Sequence, residues 1–272
     1  MGNGRNIEFT KMSGTGNDFI VVDAFNAPID VDWSRFAATF CPRRTGVGVD
    51  GLLILSRNDS VDFTYRIFNA DGSEAEMCGN GARCAAAFAV RHGIAGDSMS
   101  FSTLAGIVQA RVNPSNVSIR VTDPKDLVRG RGIDVDGRTV DVWSVNTGVP
   151  HAIVFTDDLE GVPVDVLGRA VRYHEAFAPA GTNVDFVQAL GGNRIRVRTY
   201  ERGVEGETLA CGTGAVASAI ISHAAHKVSG SSVEVGMPGG DLTIGLSIHH
   251  GEYRDVWLTG EVSFIFTGTI VF

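Results

Sequence analysis

Short apolar runs separated by polar, turn-rich stretches recur along most of the chain. Those at 19–22, 52–55, 63–68, 117–121, 152–155, 184–187 and 195–200 are rich in Val, Ile and Phe and read as strands. Helical patterning is confined to 33–40, 79–92, 164–173 and 212–227. The stretches 79–92 and 212–227 are rich in Ala and apolar around most of their circumference, as expected of helices enclosed on all sides. A curved, mostly antiparallel, barrel-like sheet wrapped around one central helix accounts for the pattern. The polar stretch 123–141, with Pro124, Gly130, Gly132 and Gly137, reads as a connection. The last strand, 262–272, can return to either half.

The pattern also repeats. "CGNG" begins at Cys78 and "CGTG" at Cys211, an offset of 133, each opening one of the Ala-rich helices. Near that offset "DFIVV" (18–22) lies over "HAIVF" (151–155), which sets His151 over Asp18. "FTYRIFN" (63–69) lies over "IRVRTYE" (195–201), and "TLAG" (103–106) over "MPGG" (237–240). "GVGVDGLLIL" and "GTNVDFVQAL" form a weaker pair. Segments in the same order at nearly constant spacing indicate an internal duplication. The fold class expected is α/β, of the α+β type, with two pseudo-symmetric domains that divide near residue 122.

Composition narrows the function. A chain of 272 residues can bury a substantial core, and 44% hydrophobic with 20% charged residues is ordinary for a globular protein. The formal net charge of −8 argues against a nucleic-acid partner, which needs a basic face. No apolar run is long enough for a membrane helix, and the N-terminus carries no secretion signal, so the expected location is the cytoplasm. Cys41, Cys78, Cys84 and Cys211 form no Cys-x-x-Cys pair, so neither disulfides nor structural zinc are expected.

The chemistry is expected at the two repeated cysteines. The first turn of a helix leaves backbone N–H groups unpaired and carries a partial positive charge. A cysteine there gains thiolate character, and the same N–H groups suit a carboxylate. Gly79, Gly81, Gly212 and Gly214 remove bulk from both turns. Two such sites facing one ligand across a cleft would combine two thiols with two anion cradles. One thiolate could remove an α-proton while the other thiol protonates the opposite face, with no covalent intermediate. Cys41 and Cys84 lack the repeated context and read as small core residues.

The strings "NADGSEAEMCGNGAR" (69–83) and "YERGVEGETLACGTGA" (200–215) resemble the two active-site motifs of the diaminopimelate epimerase family, and "KMSGTGNDFIVVD" (11–23) resembles its N-terminal motif. "TGVGVDGLL" and "NTGVPHAIVF" fit its intervening segments. The resemblance implies a pyridoxal-independent, metal-free isomerase that converts LL-2,6-diaminopimelate to the meso form for lysine and peptidoglycan synthesis. It implies a homodimer, and a final strand that rejoins the first domain, which makes the domains 1–122 plus 262–272, and 123–261. Cys78 and Cys211 become the acid/base pair, with His151 and Glu201 tuning them. The backbone of Gly79, Asn80, Gly212 and Thr213 would hold the reacting carboxylate, and Asn17, Asn69, Asn183, Glu201 and Arg202 the rest of the substrate. Arg202 suits a carboxylate because a guanidinium can bind it through two parallel hydrogen bonds. Two positions depart from some members: Val149 stands where many have Asn, and Gly51 where some have Gln.

The alternatives are a related racemase with another amino acid, such as proline, hydroxyproline or histidine, a non-catalytic binding protein using the same cradles, and a redox sensor using Cys78 and Cys211. A dinucleotide fingerprint at 46–51 fails because a strand, "LLIL", follows it. The Gly-rich start at Gly212 lacks a tight strand–turn–helix, which leaves nucleotide binding an outside alternative.

Overall fold

The structure, a computed structural model, describes residues 5–272; residues 1–4, on which the reading of the N-terminus partly rests, lie outside the described residues. The chain is a mixed α/β protein, mostly sheet with few helices. It divides into two compact units, one running to Ile119 and resuming over Gly260–Phe272, the other Arg120–Thr259.

The first unit contains β1 (Asn6–Gly14), β2 (Asn17–Ala24), α1 (Trp33–Phe40), β3 (Gly51–Ser56), β4 (Phe63–Asn69), β5 (Glu74–Ala75), α2 (Gly79–Arg91), β6 (Ser98–Thr103), β7 (Gly106–Val112) and β8 (Val117–Arg120). Parallel neighbours need a crossover. α1 supplies it between β2 and β3, and α2 between β4 and β6. The remaining pairs β3–β4, β4–β5 and β6–β7 are antiparallel. Asp32 caps α1, its carboxylate accepting the Arg35 N–H at 3.0 Å. β3 is buried on both faces. Leu52 and Ile54 pack with Trp33 and Phe36 of α1, while Leu53 turns toward α2. α2 packs against β1, β2, β3, β4 and β7, so strands enclose it.

The second unit contains β9 (Lys125–Val135), β10 (Arg138–Asn146), β11 (Pro150–Phe155), α3 (Val164–Arg172), β12 (Asn183–Gly191), β13 (Arg194–Glu201), β14 (Gly206–Thr208), α4 (Gly212–Ala224), β15 (Ser232–Met237), β16 (Gly240–His249) and β17 (Glu252–Gly260). Its pairings repeat those of the first unit strand for strand. β11 lies parallel to β12, β12 antiparallel to β13, β13 antiparallel to β14 and parallel to β15, and β15 antiparallel to β16. α4 is enclosed by β10, β11, β12, β13, β15 and β16. The turns read as "TLAG" and "MPGG" both close hairpins, and each ends on a glycine at positive φ, Gly106 (116°) and Gly240 (133°). The last strand, β18 (Ser263–Val271), returns to the first unit and pairs antiparallel with β1.

Two readings need correction. The stretch 123–141 is largely a hairpin of β9 and β10 rather than a loose connection. β9 is exposed along most of its length, so no apolar alternation marks it. The alignment of "DFIVV" with "HAIVF" is one residue out. Ile20 and Val22 pack on α1, as Ala152 and Val154 pack in the cluster that holds α3. His151 therefore matches Phe19, not Asp18, and faces the interior. Among the described residues no helix is long and apolar enough to cross a membrane.

Candidate functional site

Cys78 and Cys211 each sit at the N-cap of a helix of 13 residues, with extended backbone at φ −134°, ψ 123° and φ −124°, ψ 108°. Their carbonyls accept the first helical bonds, from Ala82 at 2.8 Å and Ala215 at 2.9 Å. A sulfur is a weak replacement for the serine or aspartate oxygen usual at this position, which leaves N–H groups of the first turn for a ligand. Gly79 and Gly212 follow, and a Cβ on either would meet only the tip of an apolar side chain, Ile119 or Leu258. Gly81 and Gly214 have a different use from the ligand access expected of them. Their missing Cβ atoms make room for buried protein side chains, Tyr65 in one unit and Asp185 in the other.

In the first unit, the site around Cys78 is built on a polar chain. Arg83, one turn into α2, is fully buried. Its Nη2 donates to Thr15 Oγ1 at 2.7 Å and to Asn80 Oδ1 at 2.9 Å, and Nη1 to the Gly79 carbonyl at 3.4 Å. Burial pushes the guanidinium pKa down. Asn80 donates to the Thr15 carbonyl at 3.2 Å and to Asn17 Oδ1 at 2.8 Å. Asn17 donates to Asp50 at 2.9 Å, and Arg43 bridges Asp50 to Asp18. Asn17 and Asn80 thus belong to one network. Asn69 stands apart at the exposed end of β4, its amide donating to Ser73 Oγ at 2.9 Å. Gly51 has a steric reason: a Cβ there would lie 2.8 Å from the Phe68 carbonyl.

In the second unit, the site around Cys211 is more polar. Cys211 is 6% exposed. Its Sγ lies 3.4 Å from Thr213 Oγ1, which lies 3.0 Å from His151 Nε2. His151 Nδ1 lies 2.7 Å from Asp185 Oδ2, and both side chains are fully buried. Asp185 Oδ1 accepts the Thr199 hydroxyl at 2.7 Å. Asn183 accepts the Arg202 backbone N–H at 2.7 Å, and Arg202 Nη1 donates to the Ala180 carbonyl at 3.2 Å. Burial, reinforced by Glu201 and Asp185, holds the Cys211 thiol well above its usual range; Thr213 and the Gly214 N–H pull the other way. The thiolate character expected at both helix starts is therefore reversed at Cys211, because burial beside two carboxylates outweighs a partial helix charge. Burial likewise raises Glu201, and nearby Asp185 adds to it.

Cys41 and Cys84 are fully buried, and burial pushes both thiols up to about 12. Sequence reasoning missed Asp185 and Arg83. Each carried a signal: one acid inside the buried run 184–187, and one cation in an Ala-rich helix.

The family model described as diaminopimelate epimerase matches residues 9–125 and 143–265. The diaminopimelate epimerase of Aquifex aeolicus is 45% identical over 97% of this chain and 98% of its own length. That of Archaeoglobus fulgidus is 42% identical over 97% and 96%. Among solved structures, a phenazine biosynthesis protein of the PhzF family from Bacillus anthracis superposes with a TM-score of 0.77 at 15% identity, covering 98% of this chain and 100% of the other. A hydroxyproline epimerase from Agrobacterium vitis, solved with trans-4-hydroxy-L-proline, gives 0.69 at 17% identity over 98% and 93%. These structural likenesses concern the fold alone.

Proposed function

We propose a function from one premise: this chain belongs to the diaminopimelate epimerase family. It inverts one α-carbon of LL-2,6-diaminopimelate to give the meso isomer, an isomerisation without pyridoxal phosphate. The observation that carries the chemistry is the pair of N-cap cysteines, each opening a buried helix with a Cys-Gly-x-Gly turn.

On this reading Cys78 and Cys211 act on opposite faces of the same carbon. One thiolate takes the α-proton and the other thiol supplies its replacement, so the stereocentre inverts with no bond between sulfur and carbon. The raised Cys211 thiol favours Cys211 as the proton donor toward the LL isomer and Cys78 as the base. The N–H groups of Gly79, Asn80, Gly212 and Thr213 hold the reacting carboxylate, whose charge they favour. Asn17, Asn69, Asn183, Glu201 and Arg202 receive the remainder of the substrate. His151 and Glu201 set the proton affinity of the thiols. The same reading carries a homodimer, a cytoplasmic location, a place in lysine and peptidoglycan precursor synthesis, and domain boundaries in the chain near residues 122 and 262.

The test is proton NMR of LL-diaminopimelate with the reduced protein in D2O. Loss of the α-proton signal with growth of the meso isomer is the expected result. No exchange from folded protein would remove diaminopimelate as the substrate.

A further inference from the structure

The two cysteine environments are unequal in one respect that the duplication does not explain. Matched by face and pairing, the interior positions Phe19, Gly51, Leu53 and Ile67 of the first unit correspond to His151, Asn183, Asp185 and Thr199 of the second. Apolar or side-chain-free positions near Cys78 are thus replaced near Cys211 by a hydrogen-bonded polar set. Burying such a set without a function is unfavourable unless every member is satisfied.

With Asp185 a carboxylate and the ring neutral, the bonds in this set run in one direction. Asp185 as a carboxylate can only accept, so His151 Nδ1 carries the hydrogen. Nε2 of the neutral ring is then the acceptor, and it faces two donors: the Thr213 hydroxyl at 3.0 Å and the Asn183 amide at 3.4 Å. With its own hydrogen committed to His151, Thr213 Oγ1 accepts from the Cys211 thiol.

We propose that Thr213 and His151, held by Asp185, form a proton relay serving Cys211. The relay deepens the two-thiol reading and takes its purpose from it. In the forward direction the Cys211 S–H bond breaks as its hydrogen passes to Thr213 Oγ1. The original Thr213 hydrogen passes to His151 Nε2. Thiol and imidazole become thiolate and imidazolium, with no net gain or loss of protons. The thiolate can then take an α-proton from the meso isomer. In the opposite direction Cys211 gives its hydrogen to substrate and recovers one from the imidazolium through Thr213. The titratable groups around the ring are Asp185 from β12, Glu201 from β13 and, through Thr213, Cys211 at the N-cap of α4. Asp185 is a positioning residue, since it acts only through His151.

The test uses Thr213→Val, which removes the hydroxyl while keeping the backbone N–H and the side-chain shape, with Thr213→Ser as its control. Site-resolved iodoacetamide labelling of the substrate-free protein, read by mass spectrometry across pH 6–10, follows Cys211 against Cys78 as internal reference. Thr213→Val is expected to slow Cys211 labelling near neutral pH about tenfold and displace its profile to higher pH. Cys78 should be unaffected, and Thr213→Ser should restore the wild-type profile. Turnover from the meso isomer should fall in kcat with little change in KM. A Cys211 profile unchanged in folded Thr213→Val overturns the relay, as does failure of Ser to restore it. Because labelling needs no substrate, a wrong substrate assignment would show only in the NMR experiment.

Discussion

A methyl group at Gly81 would stand 2.7 Å from the hydroxyl oxygen of Tyr65 and 3.2 Å from the Leu53 side chain. Both neighbours are buried, and Tyr65 packs against Phe101 with ring centroids 5.9 Å apart. Within a helix, Gly→Ala ordinarily stabilises by about 1 kcal/mol. Here the crowding opposes that gain, at about 1–3 kcal/mol for a forced shift in a packed core. Gly81→Ala is therefore expected to lower the urea midpoint and, by displacing the turn after Cys78, to lower kcat as well. An Ala variant more stable than the wild type would show that Tyr65 yields.

Arg83 concerns order in the site more than stability. Its Nε has no hydrogen-bond partner, and its acceptors on Thr15, Asn80 and Gly79 are all neutral. Removing a buried charge offsets part of the loss of those bonds. The bonds fasten Thr15, a β-branched residue at φ 45°, in a turn that such residues seldom adopt. Arg83→Met is expected to change unfolding free energy by about 1 kcal/mol or less while kcat/KM falls at least about tenfold. Kinetics and denaturation on the same preparation check this. A large loss of stability accompanying the loss of activity would make Arg83 a structural residue instead.

How far the sequence carries depends on what each residue touches. The duplication was legible because β4 and β13 alternate and because the turns ending in Gly106 and Gly240 need the same backbone conformation. The helix starts at Cys78 and Cys211 were legible because each abrupt Gly-rich step precedes an Ala-rich run. The register of His151 was not, since β2 and β11 are buried on both faces and a run apolar on both faces has no period of two to anchor it. β9 was hidden for the opposite reason, being exposed almost throughout. Asp185 was visible as an acid in a buried run, but its partner His151 lies 34 positions away and only strand pairing joins them.

Cys41 and Cys84 should be chemically silent in the folded protein. With thiols pushed up to about 12, only about one molecule in ten thousand carries the thiolate at pH 8. Iodoacetamide at pH 8 is expected to leave both unlabelled under native conditions and to label both after denaturation. The same shifts fix an alkaline limit. The unfolded chain releases these protons near the usual value of 9.0, whereas the folded protein keeps them to about 12. Their contribution to stability is complete below pH 9 and is lost as pH climbs toward 12. Native labelling of either cysteine at pH 8 would contradict both the burial and the alkaline limit.

Glu201 offers a separation of stability from function. Burial raises its pKa from the usual 4.5, and Asp185 adds to the effect. A carboxyl with a raised folded value binds its proton more firmly in the folded protein than in the unfolded chain. Between 4.5 and the folded value, rising pH therefore favours the unfolded chain, and the wild type loses stability through that window. Glu201→Gln has no such titration. The variant is expected to gain melting temperature relative to the wild type as pH rises from 4 to 7. Removing a carboxylate that helps hold the Cys211 thiol up should also move Cys211 labelling to lower pH. If Glu201 tunes that thiol in turnover, kcat falls by about tenfold or more despite the added stability. A stability difference that is flat from pH 4 to 7 would mean that Glu201 titrates alike in both states and is not raised by burial.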